Sequence, residues 1–191
     1  GHSGCKKACS VNAINLVFGT EKRGFDIPDI KDNFETNMAG IFIAGELGGM
    51  GLIRNAVEQG CQALENILKV GGVGNGTEEY LDLVIVGAGP AGIAASLGAL
   101  SNKLNFVTVE QETLGGTVAH YPRGKLVMTA PVHMPIVGKI KFTETTKEQL
   151  LAFWQKVEKK TGVTIQYKER VEEIAVEGEG YLVTTTKGNY R

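Results

Sequence analysis

Three glycines that follow an apolar run are the residues of this chain best suited to bind phosphate groups. Residues 83–86 (LVIV) carry no charge and are rich in β-branched side chains, as a buried parallel strand requires. Gly87, Gly89 and Gly92 then give the spacing G-x-G-x-x-G, which allows a tight turn, close approach of a pyrophosphate and close helix–strand packing. The free N–H groups at the start of the next helix would face the phosphates. The spacing therefore predicts a dinucleotide-binding strand–turn–helix unit.

A carboxylate lies where such a unit needs one. The run 105–110 (NFVTVE) predicts the next strand and ends on Glu110, which follows Gly92 by 18 residues. In dinucleotide-binding folds a carboxylate about 20 residues after the glycine motif accepts hydrogen bonds from ribose hydroxyls. We therefore expect Glu110 to contact a ribose. A chance glycine turn in an unrelated α/β domain is the alternative interpretation.

Composition narrows the function classes. The 191 residues include 20 basic and 21 acidic side chains, for a formal net charge of −1, so we expect no nucleic-acid partner. Apolar runs are far shorter than the 18 or more residues of a membrane span, so no membrane segment is predicted in this chain. Three cysteines without a paired framework favour a reducing, cytoplasmic compartment.

Composition shifts along the chain predict four pieces. These are a cysteine-containing segment over 1–19, a strand–glycine turn–helix unit over 20–70, a linker over 71–79 and a dinucleotide-binding domain over 80–191. In the second piece, residues 41–44 predict a strand, and apolar residues at the 3.6 period predict an amphipathic helix that begins near Gly51. The glycine-rich stretch 71–76 is typical of a linker.

The last piece predicts an α/β, Rossmann-like fold, with a parallel sheet and a smaller antiparallel β layer. The expected elements after the second strand are a helix over 147–160, a strand over 163–167 and an antiparallel hairpin over 170–186. Thr145 with Glu148 three residues later predicts a capping box at the start of the helix. Because residues 83–86 are apolar throughout, we expect their strand to lie inside the sheet and not at its edge.

The glycine motif, Glu110 and the stretch 114–125 (LGGTVAHYPRGK) resemble the FAD-binding half of thioredoxin-reductase-like flavoproteins, which are pyridine nucleotide–disulfide oxidoreductases. The stretch 114–125 is most similar to the bacillithiol-disulfide-reductase-like branch. The resemblance covers about residues 80–191 and implies an FAD site formed by Gly87, Gly89, Pro90, Ala91, Gly92, Glu110, Gln111, Gly115, Gly116, Thr117 and Val171.

Within that site the resemblance implies distinct roles. The glycine motif would hold the pyrophosphate, Glu110 the adenosine ribose, residues 115–117 the flavin, and the backbone of Val171 the adenine edge. The family's redox-active C-x-x-C motif is absent from the sequence, which does not favour direct dithiol exchange by this stretch. His120 and Tyr121 are candidate proton donors near the flavin, and a surface loop is the alternative interpretation of that histidine.

Residues 40–60 resemble the second FAD motif of the same superfamily, in which a strand ends in Gly-Asp and a helix points its N-terminus at the flavin. Glu46 takes the place of that aspartate, and the helix dipole would favour the negative charge of a reduced flavin. In the family this motif follows the G-x-G-x-x-G domain, whereas here it precedes it. The unit either belongs to an upstream module or docks onto the glycine-motif domain, which we favour. A plain amphipathic core helix is the remaining interpretation.

Cys5 and Cys9 resemble the last two cysteines of the bacterial ferredoxin motif C-x₂-C-x₂-C-x₃-C-P. The resemblance implies ligands of a 4Fe-4S cluster in a longer parent chain. Ser10 replaces the proline and His2 stands where the second cysteine belongs, so two free cysteines are expected in this chain alone. The resemblance also implies a further apolar strand after the hairpin and an NAD(P)H site elsewhere in the parent. We therefore expect a domain that is incomplete at both ends.

Three functions are compatible with these motifs. The first is an FAD-dependent oxidoreductase that passes electrons from NAD(P)H to a disulfide, an iron–sulfur centre or another carrier. The second is an NAD(P)-binding dehydrogenase domain without flavin, and the third is a non-catalytic nucleotide-binding module. The GAGPAG turn, the downstream GGT and the 40–60 unit together favour FAD. The expected partner is the remainder of the parent protein or an electron acceptor, and a homodimer stays open.

Overall fold

The structure is a computed structural model, and it describes residues 28–48, 52–77, 79–128, 130–142 and 144–191. The described helices are α1 (Ile53–Val70), α2 (Pro90–Ser101) and α3 (Lys147–Thr161), with short 3₁₀ helices at Glu46–Gly48 and Gly116–His120. The described strands are β1 (Leu83–Val86), β2 (Phe106–Glu110), β3 (Leu126–Met128), β4 (Val132–Met134), β5 (Gly138–Ile140), β6 (Glu144–Thr146), β7 (Ile165–Tyr167), β8 (Val171–Glu177), β9 (Gly180–Thr185) and β10 (Asn189–Tyr190). None of the described helices combines the length and apolarity needed to cross a bilayer.

A parallel sheet of order β1-β2-β7 carries the glycine turn at the carboxyl end of β1. The predicted fold class is confirmed, because β2 pairs in parallel with both neighbours and α2 connects β1 to β2. The expectation that β1 lies inside the sheet is wrong for the described residues. Its only strand partner there is β2, and its other edge borders a cleft, which leaves Val86 57% exposed.

An antiparallel sheet of order β10-β9-β8 forms the second layer. The predicted hairpin is confirmed, with Glu177 opposite Gly180 at its turn. Strand β10 and the two small antiparallel pairs, β3 with β6 and β4 with β5, were not predicted from the sequence. Each of the four strands in those pairs has three residues, which is too short for an alternating pattern to be visible.

Residues 41–44 do not form the predicted strand. Their backbone bonds instead to a short turn before them: Thr36 N–H donates to the Ile41 carbonyl and Ile43 N–H donates to the Phe34 carbonyl. These bonds form isolated β-bridges and not a continuous pairing of two strands. The helix that follows is confirmed as α1, and its buried side is formed by Ala56, Val57, Gly60, Ala63 and Leu64.

The capping box at the start of helix α3 lies one residue later in the chain than predicted. Thr146, and not Thr145, accepts the N–H of Gln149, and the Gln149 side chain accepts the N–H of Thr146. Glu148 instead accepts the N–H of Gly124 at 3.0 Å, so the acidic side chain holds a loop. Thr145 is buried with 4% exposure, where its backbone pairs with Val127, and this packing overrides the sequence signal.

Candidate functional site

The glycine turn after β1 lines a small pocket of about 180 Å³. Gly87 has a φ of +101°, which a residue with a side chain rarely adopts. An added Cβ on Gly92 would lie 1.9 Å from the Gly87 carbonyl oxygen, so the helix can pack this closely only with glycine there. Gly89 differs from both, because its backbone is extended and an added Cβ would meet nothing nearer than 4.0 Å. A side chain at Gly89 would therefore fill the pocket without strain.

Helix α2 begins at this pocket. Gly89 is its N-cap and Pro90 is its first residue, whose missing N–H costs nothing at this position. The N–H groups of Ala91 and Gly92 belong to the first turn, where no intrahelical acceptor exists. Both residues line the pocket, so the positive end of the helix dipole faces it. This arrangement suits a phosphate group.

Glu110 closes the inner side of the pocket. Its side chain is 6% exposed, and Oε2 accepts the backbone N–H of Ala88 at 2.7 Å. Oε1 accepts the N–H of Glu112 at 2.9 Å. These two bonds fix the carboxylate at the end of β2 and beside the glycine turn. Because each carboxylate oxygen has two lone pairs, both can still accept a hydroxyl of a bound sugar.

A second glycine turn meets the first. Gly115 N–H donates to the Ala88 carbonyl at 2.9 Å, which ties the 115–117 turn to the one after β1. An added Cβ on Gly116 would lie 3.1 Å from the Cα of Gly89, so the two backbones lie almost in contact. Gly116 and Thr117 line the pocket, whereas Gly115 is buried against Leu151 and does not.

The unit that precedes the glycine motif docks on it. Ala44, Gly45 and Glu46 form one wall of the pocket. An added Cβ on Gly45 would lie 2.9 Å from the Cβ of Ala91, and the Gly45 N–H donates to Oε1 of Gln59 on α1 at 2.8 Å. The order of motifs in the chain therefore does not prevent docking.

Some predicted site residues lie elsewhere. Gln111 is exposed, Val171 pairs with Thr185 in the antiparallel layer, and neither lines the pocket. His120 is exposed, and its Nε2 lies 2.9 Å from Oε2 of Glu112. Tyr121, in contrast, lines the pocket. Cys5 and Cys9 lie outside the described residues, and the residues that are described contain no cluster of three or more metal-ligating side chains.

Cys61 lies on α1, away from the pocket, and is half-buried. Burial raises the pKa of its thiol, and the negative charges of Glu65 and Glu58 act in the same direction. A thiol held in its protonated form is a poor nucleophile. No cysteine lies among the described residues that line the pocket.

Sequence reasoning missed the anchor of the linker. Oδ1 of Asp82 accepts the N–H groups of Gly74, Asn75 and Gly76 at 2.7, 3.1 and 2.8 Å, and Oδ2 accepts the N–H of Asn105 at 2.8 Å. Residues 74–76 are therefore held to the sheet, although the composition of the stretch 71–76 is typical of a flexible linker. The available sequence signal was an acidic residue, Asp82, directly before an apolar strand. That signal does not indicate which groups the carboxylate binds.

A family model described as pyridine nucleotide-disulphide oxidoreductase matches residues 84–191, which is more than half of the chain. A 34.2 kDa protein in the rubredoxin operon of Clostridium pasteurianum is 51% identical over 41 residues, which are 22% of this chain and 13% of that protein. The thioredoxin reductase of Ureaplasma parvum is 50% identical over 42 residues, 22% of this chain and 14% of that protein.

Solved structures show the same fold. The bacillithiol disulfide reductase of Bacillus cereus superposes with a TM-score of 0.51 at 25% identity, over 56% of this chain and 36% of that one. The enzyme from Staphylococcus aureus gives a TM-score of 0.51 at 19% identity, over 56% of this chain and 34% of that one. The chain thus spans about a third of these structures and a smaller share of the curated relatives.

Proposed function

The chain belongs to the pyridine nucleotide-disulphide oxidoreductase family, and on that basis we propose that it supplies the FAD-binding part of a flavin-dependent oxidoreductase. That enzyme passes electrons from NAD(P)H to a disulfide, an iron–sulfur centre or another carrier. One observation carries the proposal: two glycine turns and the buried carboxylate of Glu110 converge on one pocket at the N-terminus of α2.

The residues present fit a dinucleotide with a pyrophosphate. The extended backbone of Gly89 leaves open a space that any side chain would occupy, and it adjoins the free N–H groups of Ala91 and Gly92. Glu110 is held by two backbone N–H groups in a position to accept ribose hydroxyls. When bound, the flavin would supply the hydride and electron chemistry, while these residues bind and orient it.

Residues beyond this core complete the proposed site. We assign the region around Thr117 and Glu46 to the flavin end, supported by their shared wall of the pocket. Gln111 and Val171 are assigned to the adenosine end, since Gln111 follows Glu110 and β8 begins two residues after Glu169, whose N–H bonds to the Glu110 carbonyl.

The parent protein is proposed to supply what this chain does not. The chain covers only a fraction of each relative, which supports a fragment of a larger flavoprotein with its NAD(P)H site elsewhere. A cytoplasmic location is proposed from the three cysteines without a paired framework. A 4Fe-4S cluster held in part by Cys5 and Cys9 of a longer parent remains a proposal that rests on the motif alone. The partner is the remainder of that parent or an electron acceptor, with a homodimer as an open arrangement.

The experiment is a titration of the purified full chain with FAD, followed by visible absorption. We expect a yellow complex, and Gly89→Val is expected to abolish it because the new side chain fills the pocket without strain on the backbone. Gly188→Val is the matched control, since an added Cβ there meets nothing within 4 Å and the residue lies outside the pocket. Binding of NADH or NADPH without FAD would instead support the dehydrogenase alternative.

A further inference from the structure

The stretch between α1 and β1 contains the one Asn-Gly pair of the sequence, Asn75-Gly76. Asparagine is among the chemically labile residues of proteins, and a following glycine makes it more so, because no side chain obstructs attack by the glycine nitrogen. Asn75 is exposed, so water reaches its side chain. The pair therefore has the composition of a site of spontaneous modification.

Deamidation of such a pair begins at the glycine nitrogen. The nitrogen of Gly76 loses its proton and attacks Cγ of Asn75, so that a C–N bond forms and closes a succinimide ring. The side-chain nitrogen of Asn75 takes up protons from the solvent and leaves as ammonia. Water then opens the ring at either carbonyl, which gives aspartate or isoaspartate. Water is the only co-reactant, and nothing is oxidised or reduced.

The structure holds this nitrogen in its unreactive form. Gly76 N–H donates to Oδ1 of Asp82 at 2.8 Å. A carboxylate is far too weak a base to remove the proton of a peptide group, and its negative charge disfavours a second negative charge on the adjacent nitrogen. The hydrogen bond therefore opposes the first step of deamidation.

The surroundings of Gly76 also keep its nitrogen from rotating toward the asparagine side chain. An added Cβ on Gly76 would lie 2.9 Å from the Cβ of Asn105 and 2.9 Å from the Cγ of Asp82. On the other side of Gly76, the carbonyl of Thr77 accepts the side-chain amide of Asn105. The close packing requires glycine at this position, so the fold itself retains the residue that makes Asn75 labile.

We infer that Asn75 is a site of spontaneous deamidation that Asp82 keeps slow, and that the reaction releases the 74–76 turn irreversibly. The Asn75 N–H donates to Oδ1 of Asp82 at 3.1 Å, so a new carboxylate on residue 75 would lie near a like charge. Isoaspartate also lengthens the main chain by a methylene group, so that the three N–H groups no longer converge on one oxygen. The reaction needs no flavin, and its test uses none.

Release of the turn bears on how the pocket is held together. The turn connects the unit that carries Glu46 to the domain that carries Gly89, and both residues line the pocket. A looser connection lowers the effective concentration of one wall at the other. Deamidation of Asn75 is thus a one-way change that weakens docking of the two walls.

The test incubates the full chain at mildly alkaline pH beside a free peptide with the sequence of residues 73–79 (VGNGTEE). Peptide mapping by mass spectrometry measures the fraction of Asn75 converted to the acid. We expect the chain to react about tenfold more slowly than the peptide, because attack must first break a charge-assisted hydrogen bond of Gly76. Equal rates in the chain and the peptide would overturn the inference.

Two variants locate the protection. Asp82→Ala removes the acceptor without adding an amide, and it should accelerate deamidation of Asn75 about tenfold. Val157→Ala is the control, since it removes buried side-chain atoms in α3 and lowers the stability of the whole fold. It should leave the rate near that of the unmodified sequence. Equal acceleration in both variants would assign the reaction to global unfolding and overturn the role of Asp82.

A further measurement does not depend on the folding of any variant. Anion exchange separates the deamidated chain from the original one by its extra negative charge. Amide-exchange protection of residues 74–76 should be about tenfold lower in the deamidated chain, because the charge-assisted bonds to Asp82 are lost. Unchanged protection would show that the modification does not release the turn.

Discussion

The Oγ1 hydroxyl of Thr117 donates a 2.6 Å hydrogen bond to Oε2 of Glu46, joining residues 71 positions apart in the chain. The two belong to different glycine-rich segments, and both line the pocket at the start of α2. The bond is exposed, so it contributes little to stability. The bond holds the carboxylate of Glu46 at a defined position on the rim of the pocket.

Reversal of that charge should change the electrochemistry of a bound flavin. Glu46→Lys is expected to raise the reduction potential, because a nearby cation stabilises the anionic reduced form of the flavin. A shift of 30 mV in this potential corresponds to about 1.4 kcal/mol for a two-electron reduction. Spectroelectrochemistry of the FAD-loaded protein measures the shift. Lys31→Glu, which reverses a charge that pairs with Glu35 outside the pocket, is the control. An unchanged potential in Glu46→Lys would remove Glu46 from the flavin site.

Removal of the buried carboxylate should weaken FAD binding. A charge-assisted bond to a sugar hydroxyl contributes about 1.5–3 kcal/mol, so Glu110→Ala should lower the affinity by roughly 10- to 150-fold. The same variant leaves the buried N–H of Ala88 without an acceptor, which costs about 1–3 kcal/mol of folding free energy.

Glu110→Gln separates these two effects. A glutamine can still accept the Ala88 N–H through its one oxygen, but it lacks the negative charge, and its NH₂ group cannot accept the Glu112 N–H. We expect urea unfolding to show a smaller loss of stability for Glu110→Gln than for Glu110→Ala, while the FAD titration still shows weakened binding. Native affinity in this variant would mean that Glu110 acts only on the fold.

The sequence predicted elements whose signal is local. Gly87 has a positive φ and Gly92 has no space for a Cβ, so the spacing of the glycine motif specifies the turn directly. Position within the sheet is not local, because it depends on which segments pair with β1. The four residues of β1 are equally apolar at an edge that borders a cleft and inside a sheet.

In the site, too, features with a local sequence signal were predicted, whereas features that depend on packing between distant segments were not. The pocket residues near Gly89 were predicted from spacing, whereas docking of residues 40–60 was left open by the order of motifs. In the structure, docking depends on packing between α1 and α2, with Gly60 in close contact with Ala91. Small residues such as these occur for several reasons, so the sequence does not indicate this contact. The Asp82 anchor was not predicted, since its four partners are backbone N–H groups that any residue can supply.

The contact between α1 and α2 should not tolerate one added methyl group. An added Cβ on Gly60 would lie 2.2 Å from the Ala91 carbonyl oxygen, which is backbone and cannot move aside alone. Alanine favours a helix over glycine by about 1 kcal/mol, but overpacking costs about 1–3 kcal/mol, so Gly60→Ala should be destabilised overall. Urea unfolding measures this difference. Gln62→Ala on the exposed side of α1 is the control, and a stabilised Gly60→Ala would contradict the packing.

The linker should be released by acid. Burial raises the pKa of Asp82, but the backbone N–H groups of Asn105, Gly74, Gly76 and Asn75 outweigh burial and lower it below the ordinary 3.8. A lowered pKa in the folded state means that the contribution to stability is present above that ordinary value and is lost as the pH falls through the lowered pKa. Amide-exchange protection factors of residues 74–76 should therefore stay constant down to about pH 4 and decrease below it.

Substitution of Asp82 should reproduce that release at neutral pH. Asp82→Asn removes the charge but not the shape, and the protection of residues 74–76 should fall about tenfold because charge-assisted bonds are roughly twice as strong as neutral ones. Asp29→Asn, at an exposed aspartate distant in sequence, should leave the protection unchanged. Unchanged protection in Asp82→Asn would show that the linker is held by other contacts.

The walls of the pocket at Gly89 and Gly116 are main chain facing main chain. Main chain has no rotamers, so this part of the pocket cannot be retuned by the gradual exchange of side chains through which most binding sites diversify. A mutational library built around the pocket should therefore yield variants at Glu46, Leu52, Thr117 and Tyr121, where side chains reach the same space. Selection for a new nucleotide would act through this rim, and the glycines would stay fixed across every surviving clone.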